Sequence, residues 1–266
     1  MWQYLVQHHG PTLAAPSFSV VLPVSFYFGA CCMFMLLDLS SSTWLAAHRI
    51  QPAKPPSWST MRPALMLTLW NQVLYVLPAA ALSILCGSPL ALPSEAPTLI
   101  VLTVQVLLCL VTFDFCYFAW HWLFHKWRWG FRCVHSVHHR YNATFAWVTQ
   151  YVHPIELLVT GLFSAVTPMV YSCHPLTTWA WTLVNIWVSI DAHCGYNFPW
   201  SLHNWVPFYG GALHHDMHHQ RPRTNYEPFF TYLDLLAGTA ASAVDDAHQQ
   251  EVETTTTTTA TAVACQ

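Results

Sequence analysis

The chain has 266 residues, of which 54% are apolar, 15% aromatic and only 8% charged, against about 25% charged in an ordinary soluble domain. This excludes a disordered chain, a basic nucleic-acid-binding domain and a typical cytosolic enzyme, and implies a membrane protein. The net charge of −3 carries no strong sign, but 17 histidines stand against nine Lys plus Arg, and 13 of them lie between His121 and His219.

Residues 1–10 hold no Lys or Arg, which speaks against a cleaved leader with a basic start. Residues 18–37 form a run of 20 without a charge, long enough to cross a hydrocarbon core of ~30 Å. Residues 64–85 form a second run, in which only Asn71 and Gln72 are strongly polar, and 97–120 a third, broken by Asp114. Two shorter runs, 155–171 and 176–190, flank the turn-like Ser172-Cys173-His174-Pro175. The loop 38–63 carries Arg49, Lys54 and Arg62, the region after Trp120 carries the other six basic residues, and the N-terminus and 86–96 carry none. The positive-inside rule then places the N-terminus and 86–96 in the lumen, and 38–63 and everything after His121 in the cytosol. The shorter runs must dip into the membrane and return as a hairpin, or else pack as a buried helical pair within a cytosolic lobe.

The expected architecture is all-α: three spanning helices and a helical hairpin, with a cytosolic histidine-rich lobe. Residues 1–120 make the membrane helices with short loops. Residues 121–239 make the histidine-rich region, including the hairpin 155–190. Residues 240–266, with six consecutive Thr from Thr254 to Thr259, read as a disordered tail. The nine cysteines include no CxxC pair and mostly sit in apolar runs, so they read as small buried hydrophobes.

The histidines form boxes. His121-Trp-Leu-Phe-His125 is an HxxxH that continues the third membrane helix, its two imidazoles one turn apart on one face. His135-Ser-Val-His138-His139 and His215-Asp-Met-His218-His219 are HxxHH boxes, and His193 ends the hairpin. On an α-helix the first His of each box shares a face with the other two, while His138 and His139 point about 100° apart and so can serve two ions. Nine candidate ligands (His121, His125, His135, His138, His139, His193, His215, His218 and His219) exceed what one ion takes. They suit two ions with open positions. Imidazole binds Zn, Cu, Fe and Ni alike, so ligand type leaves the metal open. His214 and His153 are candidates for a ligand or for its support. Asp114 shares the face of His121 in an apolar run, where a carboxylate is costly and so functional by default. Orienting an imidazole N–H is its expected task, with Asp216 and Asp191 placed to do the same. Phe118, Trp147 and Tyr196 are candidate lining residues of a lipid cavity, whereas Trp122 and Trp200 read as interfacial aromatics.

With these boxes the chain resembles the membrane fatty acid hydroxylase superfamily. The resemblance runs from about residue 20 to Thr239. Within the superfamily it is closer to the cholesterol 25-hydroxylases than to the C-4 sterol methyl oxidases, through stretches such as Ala143-Thr-Phe-Ala146, Val184-Asn-Ile-Trp187, Gly195-Tyr-Asn-Phe-Pro-Trp200 and His214-His-Asp-Met-His-His219. One stretch, His153-Pro-Ile-Glu156, departs toward the methyl oxidase pattern. The resemblance implies an endoplasmic reticulum enzyme with two Fe ions. It would take O₂ as co-substrate and electrons from an external NAD(P)H-dependent reductase chain. A sterol held in membrane lipid would be hydroxylated on its side chain, cholesterol to 25-hydroxycholesterol being the leading case. No haem or dinucleotide fingerprint occurs in the chain, consistent with separate electron-transfer proteins. The alternatives are another lipid oxidation of the same superfamily, or a non-catalytic metal-binding or regulatory paralogue.

Overall fold

The structure is a computed structural model, and residues 1–241 are described. The expected tail falls almost wholly outside the described residues. Eleven α-helices and several short helical turns make up the described chain, with only two isolated β-bridges. A short helix α1 (Trp2–Ala14), which the sequence reading did not anticipate, precedes α2 (Phe18–Asp38) and α3 (Thr43–Ala47). The second span is α4 (Trp58–Asn71), a π-turn (Gln72–Val76) and α5 (Leu77–Cys86) in one line. The third is α6 (Leu99–Lys126), which runs unbroken through the HxxxH box as expected. After α7 (Arg128–Cys133) come the hairpin helices α8 (Pro154–Val170) and α9 (Pro175–His193), then α10 (Gly211–Gln220) and α11 (Tyr232–Ala237).

Three helices are long and apolar enough to cross a membrane, and only 17%, 11% and 28% of their most apolar windows are buried inside the protein. The buried minority falls in stripes at helical spacing: Tyr27, Ala30, Cys31, Phe34 and Asp38 on α2, and Val106, Cys109, Leu110, Phe113, Asp114 and His121 on α6. The remaining faces carry apolar side chains outward, the surface of a helix solvated by lipid.

The hairpin packs along α6, with Phe113 against Trp181 (5.8 Å between centroids) and the Gln105 amide donating to the Tyr171 carbonyl. Trp181 Nε1 donates to the Ser164 carbonyl across the hairpin, and Asn185 Nδ2 to Ser164 Oγ. The outer face of α8 exposes Leu158, Leu162, Val166, Met169 and Val170, an apolar stripe too continuous for a water-facing helix. At the hairpin tip, the His174 ring lies 4.9 Å from that of Trp2, whose indole N–H donates to the Pro93 carbonyl. The N-terminus, the 87–98 connection and the tip therefore meet at one end of the bundle, and the histidine boxes lie at the other.

At the histidine end, Arg49 pairs with Asp38 at 3.0 Å and stacks over Tyr196. Backbone bonds Ile50 N–H to Gly195 O and Asn197 N–H to His48 O then tie the 38–57 connection to the segment after α9. Gly195 sits at φ +75°, and a Cβ there would meet the Thr144 carbonyl at 2.5 Å, so only glycine fits. A reporter placed in 87–98 is expected on the opposite side of the membrane from one placed after Thr239, as checked by protease protection; both on one side would misplace α6 or the hairpin.

Candidate metal centre

All nine predicted histidines converge, in two groups. His121, His125, His135, His139 and His218 form one and His138, His193, His215 and His219 the other, with the ligand atoms of each group within 4.8 Å of one another. His125 and His139 are half-buried and the other seven are buried. Neither HxxHH box acts as a unit. Each keeps its i,i+4 pair in one group (His135 with His139, His215 with His219) and sends its i+3 member (His138, His218) to the other. The parting of His138 from His139 matches their divergence of about 100°, whereas each i+3 member leaves the face it would share with the first His on an α-helix. Residues His135–Arg140 are moreover a 3₁₀ turn, not an α-helix, a form common in short connectors.

The nitrogens face one another at metal-ligand spacing. Nε2–Nε2 separations are 3.1 Å for His121–His125, His125–His139, His135–His139 and His139–His218, 3.2 Å for His138–His193 and 2.9 Å for His193–His215. Two nitrogens at right angles on one ion with bonds of ~2.1 Å would stand ~3.0 Å apart. One ring N–H serves one partner, so His139 Nε2, which faces His125, His135 and His218, cannot hydrogen-bond all three. His121 Nδ1 bonds the Tyr226 carbonyl, His218 Nδ1 that of Thr224, His193 Nδ1 that of Ser189 and His219 Nδ1 that of Tyr141. A carbonyl only accepts, so each Nδ1 carries the hydrogen and each Nε2 presents a lone pair. Lone pairs gathered in two buried knots fit a cation in each, and the oriented N–H groups are the usual outer support of a metal-bound imidazole.

Burial pushes His135, His138, His139, His215 and His219 well below the ordinary imidazole range, and the neighbouring rings push them further. His218 is lowered to about 4, burial outweighing the Thr224 carbonyl and Asp234. At neutral pH these rings are therefore uncharged and able to ligate without first losing a proton.

The carboxylates take roles other than those expected. Asp114 touches no imidazole; its Oδ1 accepts from the Phe229 and Phe230 amides at 2.9 and 3.3 Å. It anchors the segment whose Tyr226 carbonyl orients His121, because Asp114 lies on α6 two turns before that ring. Asp216 likewise bonds no imidazole and gathers Gln51, Thr144 and Gln220, and Asp191 accepts from the Tyr209 hydroxyl. His214 lies outside both groups and donates to Asp234 at 3.0 Å. Asp234 also accepts from the Tyr226 and Glu227 amides and the Thr239 hydroxyl. Burial raises Asp234, but these partners outweigh it and hold the carboxyl below its usual range. His153 is no ligand either: its Nδ1 accepts from the Ile155 amide and caps α8. The carboxylate that meets an imidazole of the two groups is Glu156, whose Oε1 lies 3.0 Å from His135 Nδ1. Glu156 is not among the carboxylates expected from the sequence, although an acidic residue at the head of the apolar run 155–171 is a usable signal.

A cavity of about 210 Å³ ends on His138, His193 and His215, the second group. Its walls come from α6 (Phe113, Tyr117), the hairpin (Leu157, Ile186) and the loop residue Phe229. The three predicted lining residues are not among its walls. Trp147 and Tyr196 are buried in the core cluster around α2 and α9, and on α6 it is Tyr117, not its neighbour Phe118, that reaches the cavity. One helical step turns Phe118 about 100° away from Tyr117.

This all-helical chain, with nine histidines in two groups, belongs to the fatty acid hydroxylase family, whose sequence profile matches residues 106–239. Among curated proteins, the chain is 45% identical over 244 residues to cholesterol 25-hydroxylase-like protein 2 of Danio rerio, covering 90% of this chain and 88% of that protein. It is 41% identical over 248 residues to the cholesterol 25-hydroxylase of Homo sapiens, covering 91% and 90%. The corresponding protein of Mus musculus is 42% identical over 234 residues, covering 86% and 78%. No solved structure matches.

Two outcomes follow. Replacing His138 and His139 together by Gln takes one nitrogen from each group while keeping size and polarity. Elemental analysis is expected to show most of the bound metal lost with the protein still in the membrane; wild-type metal content would overturn the assignment. Second, between pH 6.5 and about 4 the unfolded chain takes up a proton at His218 that the metal-free fold refuses. The melting temperature of metal-free protein is therefore expected to fall from pH 7.5 to pH 5, with this contribution levelling off below about pH 4.

Proposed function

We propose that this chain is a sterol hydroxylase of the endoplasmic reticulum that converts cholesterol to 25-hydroxycholesterol. The observation that carries the reading is the cavity that ends on His138, His193 and His215, in a chain so similar to proteins named for cholesterol 25-hydroxylation. The nine histidines would hold two Fe ions. When bound, the irons would supply the O₂-dependent oxidising chemistry, with electrons from a separate NAD(P)H-dependent reductase chain.

The chain's own residues supply orientation and exclusion of water. Tyr226, Thr224, Ser189 and Tyr141 carbonyls hold four imidazoles in the ligating tautomer, and Glu156 does the same for His135. Phe113, Leu157, Ile186 and Phe229 give the cavity apolar walls. Its volume of about 210 Å³ is below the ~300–1,000 Å³ of pockets that enclose a whole drug-sized ligand. A bulky lipid would therefore enter by its tail, with the ring system left in the bilayer. The tertiary C–H near the end of a sterol tail is weaker than the CH₂ and CH₃ bonds around it, and positioning decides whether it is the one presented.

The orientation that fits this reading puts the histidine lobe in the cytosol, where the basic residues lie and where soluble electron donors have access. The hairpin would dip into the membrane from that side.

Mass spectrometry of sterols from cells expressing the chain is expected to show 25-hydroxycholesterol. Oxidation at the C-4 methyl, or of fatty acyl chains alone, would overturn the sterol side-chain reading and leave the metal centre standing. His153→Ala is expected to retain at least about half of the activity, since surface and capping substitutions cost ~1 kcal/mol of stability and leave ligation untouched.

A further inference from the structure

The second membrane helix carries two adjacent amides that neither metal group uses. Asn71 and Gln72 are 2% and 9% exposed, in a helix whose most apolar window is only 11% buried. Polar side chains at such depth are costly unless bonded. Both bond the same short segment. Asn71 Nδ2 donates to the Val152 carbonyl at 3.0 Å, and Gln72 Nε2 to Gln150 Oε1 at 2.9 Å.

The helix is irregular at this point. Residues Gln72–Val76 form a π-turn closed by the Leu77 N–H on the Gln72 carbonyl. Pro78 follows, whose ring crowds the carbonyl four residues back. A single π-turn inside an α-helix is rare and tends to mark functional places.

The segment held by these amides is a wall of the cavity. Thr149, Gln150 and Val152 line it together with His138, His193 and His215. Residues Ala146–Gln150 are a 3₁₀ turn, and 151–152 lie outside any regular element. Ala146, Trp147, Val148 and Tyr151 pack into the core, the Cys31 thiol donates to the Ala146 carbonyl at 3.7 Å, and the polar anchors at the cavity-lining end, Gln150 and Val152, come from Gln72 and Asn71 of the second span.

We propose that Asn71 and Gln72 are positioning residues that determine which carbon of the lipid reaches the metals, by setting the height of the 149–152 wall above the second histidine group. The inference rests on the hydroxylase reading, but not on which lipid is the substrate. A displacement of ~1 Å at a reacting centre can change a rate ~10²-fold, so a wall released from its anchor redistributes oxidation among neighbouring carbons.

The test compares full-length wild type with Asn71→Leu, Gln72→Leu, Gln150→Ala and the Gln72→Leu/Gln150→Ala double variant. Each is purified in lipid nanodiscs with cholesterol and a reductase system, and positional isomers of the product are resolved by mass spectrometry. Metal content is measured in parallel. The expected result is a fall of about tenfold in the ratio of main to minor isomers at wild-type metal content. The double variant should be no worse than Gln72→Leu, because one bond joins the pair. An unchanged ratio, or a loss of turnover explained wholly by lost metal, overturns the proposal. If a membrane-helix variant does not fold, Gln150→Ala removes the same bond from the lobe side. Should wild type oxidise a different lipid, the sterol reading fails, and the same isomer ratio measured on that lipid still decides the role of Asn71 and Gln72.

Discussion

The structure depends on forcing nine imidazole nitrogens to face one another. Uncharged rings stand at Nε2–Nε2 separations of 2.9–3.2 Å, and His121, His193, His218 and His219, whose Nδ1 carries the hydrogen, turn an Nε2 lone pair inward, where a cation would be held. Burial keeps the rings neutral and so preserves those lone pairs. The same burial makes the arrangement demanding, because each N–H pointing away from the knots needs an acceptor. Backbone carbonyls of Ser189, Thr224, Tyr226 and Tyr141 and the carboxylate of Glu156 supply most of them.

That demand explains much of the lobe. Two of the carbonyls, from Thr224 and Tyr226, lie on the loop after α10, and this loop is held by acidic side chains at both ends. Asp114 receives the Phe229 and Phe230 amides, and Asp234 receives those of Tyr226 and Glu227. Glu227 in turn accepts from the Leu233 and Asp234 amides. The carboxylates thus act through backbone: they set a loop, the loop sets carbonyls, and the carbonyls set imidazole tautomers. A site built this way is rich in histidine at its centre and carboxylate-poor there, with its acids one layer out.

The membrane supplies the other half of the design. Three helices show lipid most of their surface and bury only narrow stripes. The stripe on α6 starts in apolar contacts at Val106 and ends in His121, so one rigid helix of 28 residues carries the metal site to a fixed depth. The hairpin lies along it, and the cavity between them opens the second histidine group to an apolar ligand while Phe113 and Phe229 stack over its wall.

Much of this was legible in the residues. Run length located all three spans to within a few residues except at the start of the second, where the helix begins at Trp58 because Ser57 caps it. The histidine boxes identified eight of the nine members of the two groups, since imidazoles at i, i+3 and i+4 are rare without a shared purpose, and His193 at the end of the hairpin was the ninth. The angle of about 100° between His138 and His139 pointed to two groups; what the spacing did not contain was which histidines complete each, since His193 and His125 approach from different helices. Nor did it contain the partners of Asp114, Asp216 and His214, or the reach of Glu156, since each of these bonds joins segments distant along the chain. Periodicity reports the face a side chain leaves from, which the local backbone dictates; what that face meets is decided only when helices from across the chain are packed together.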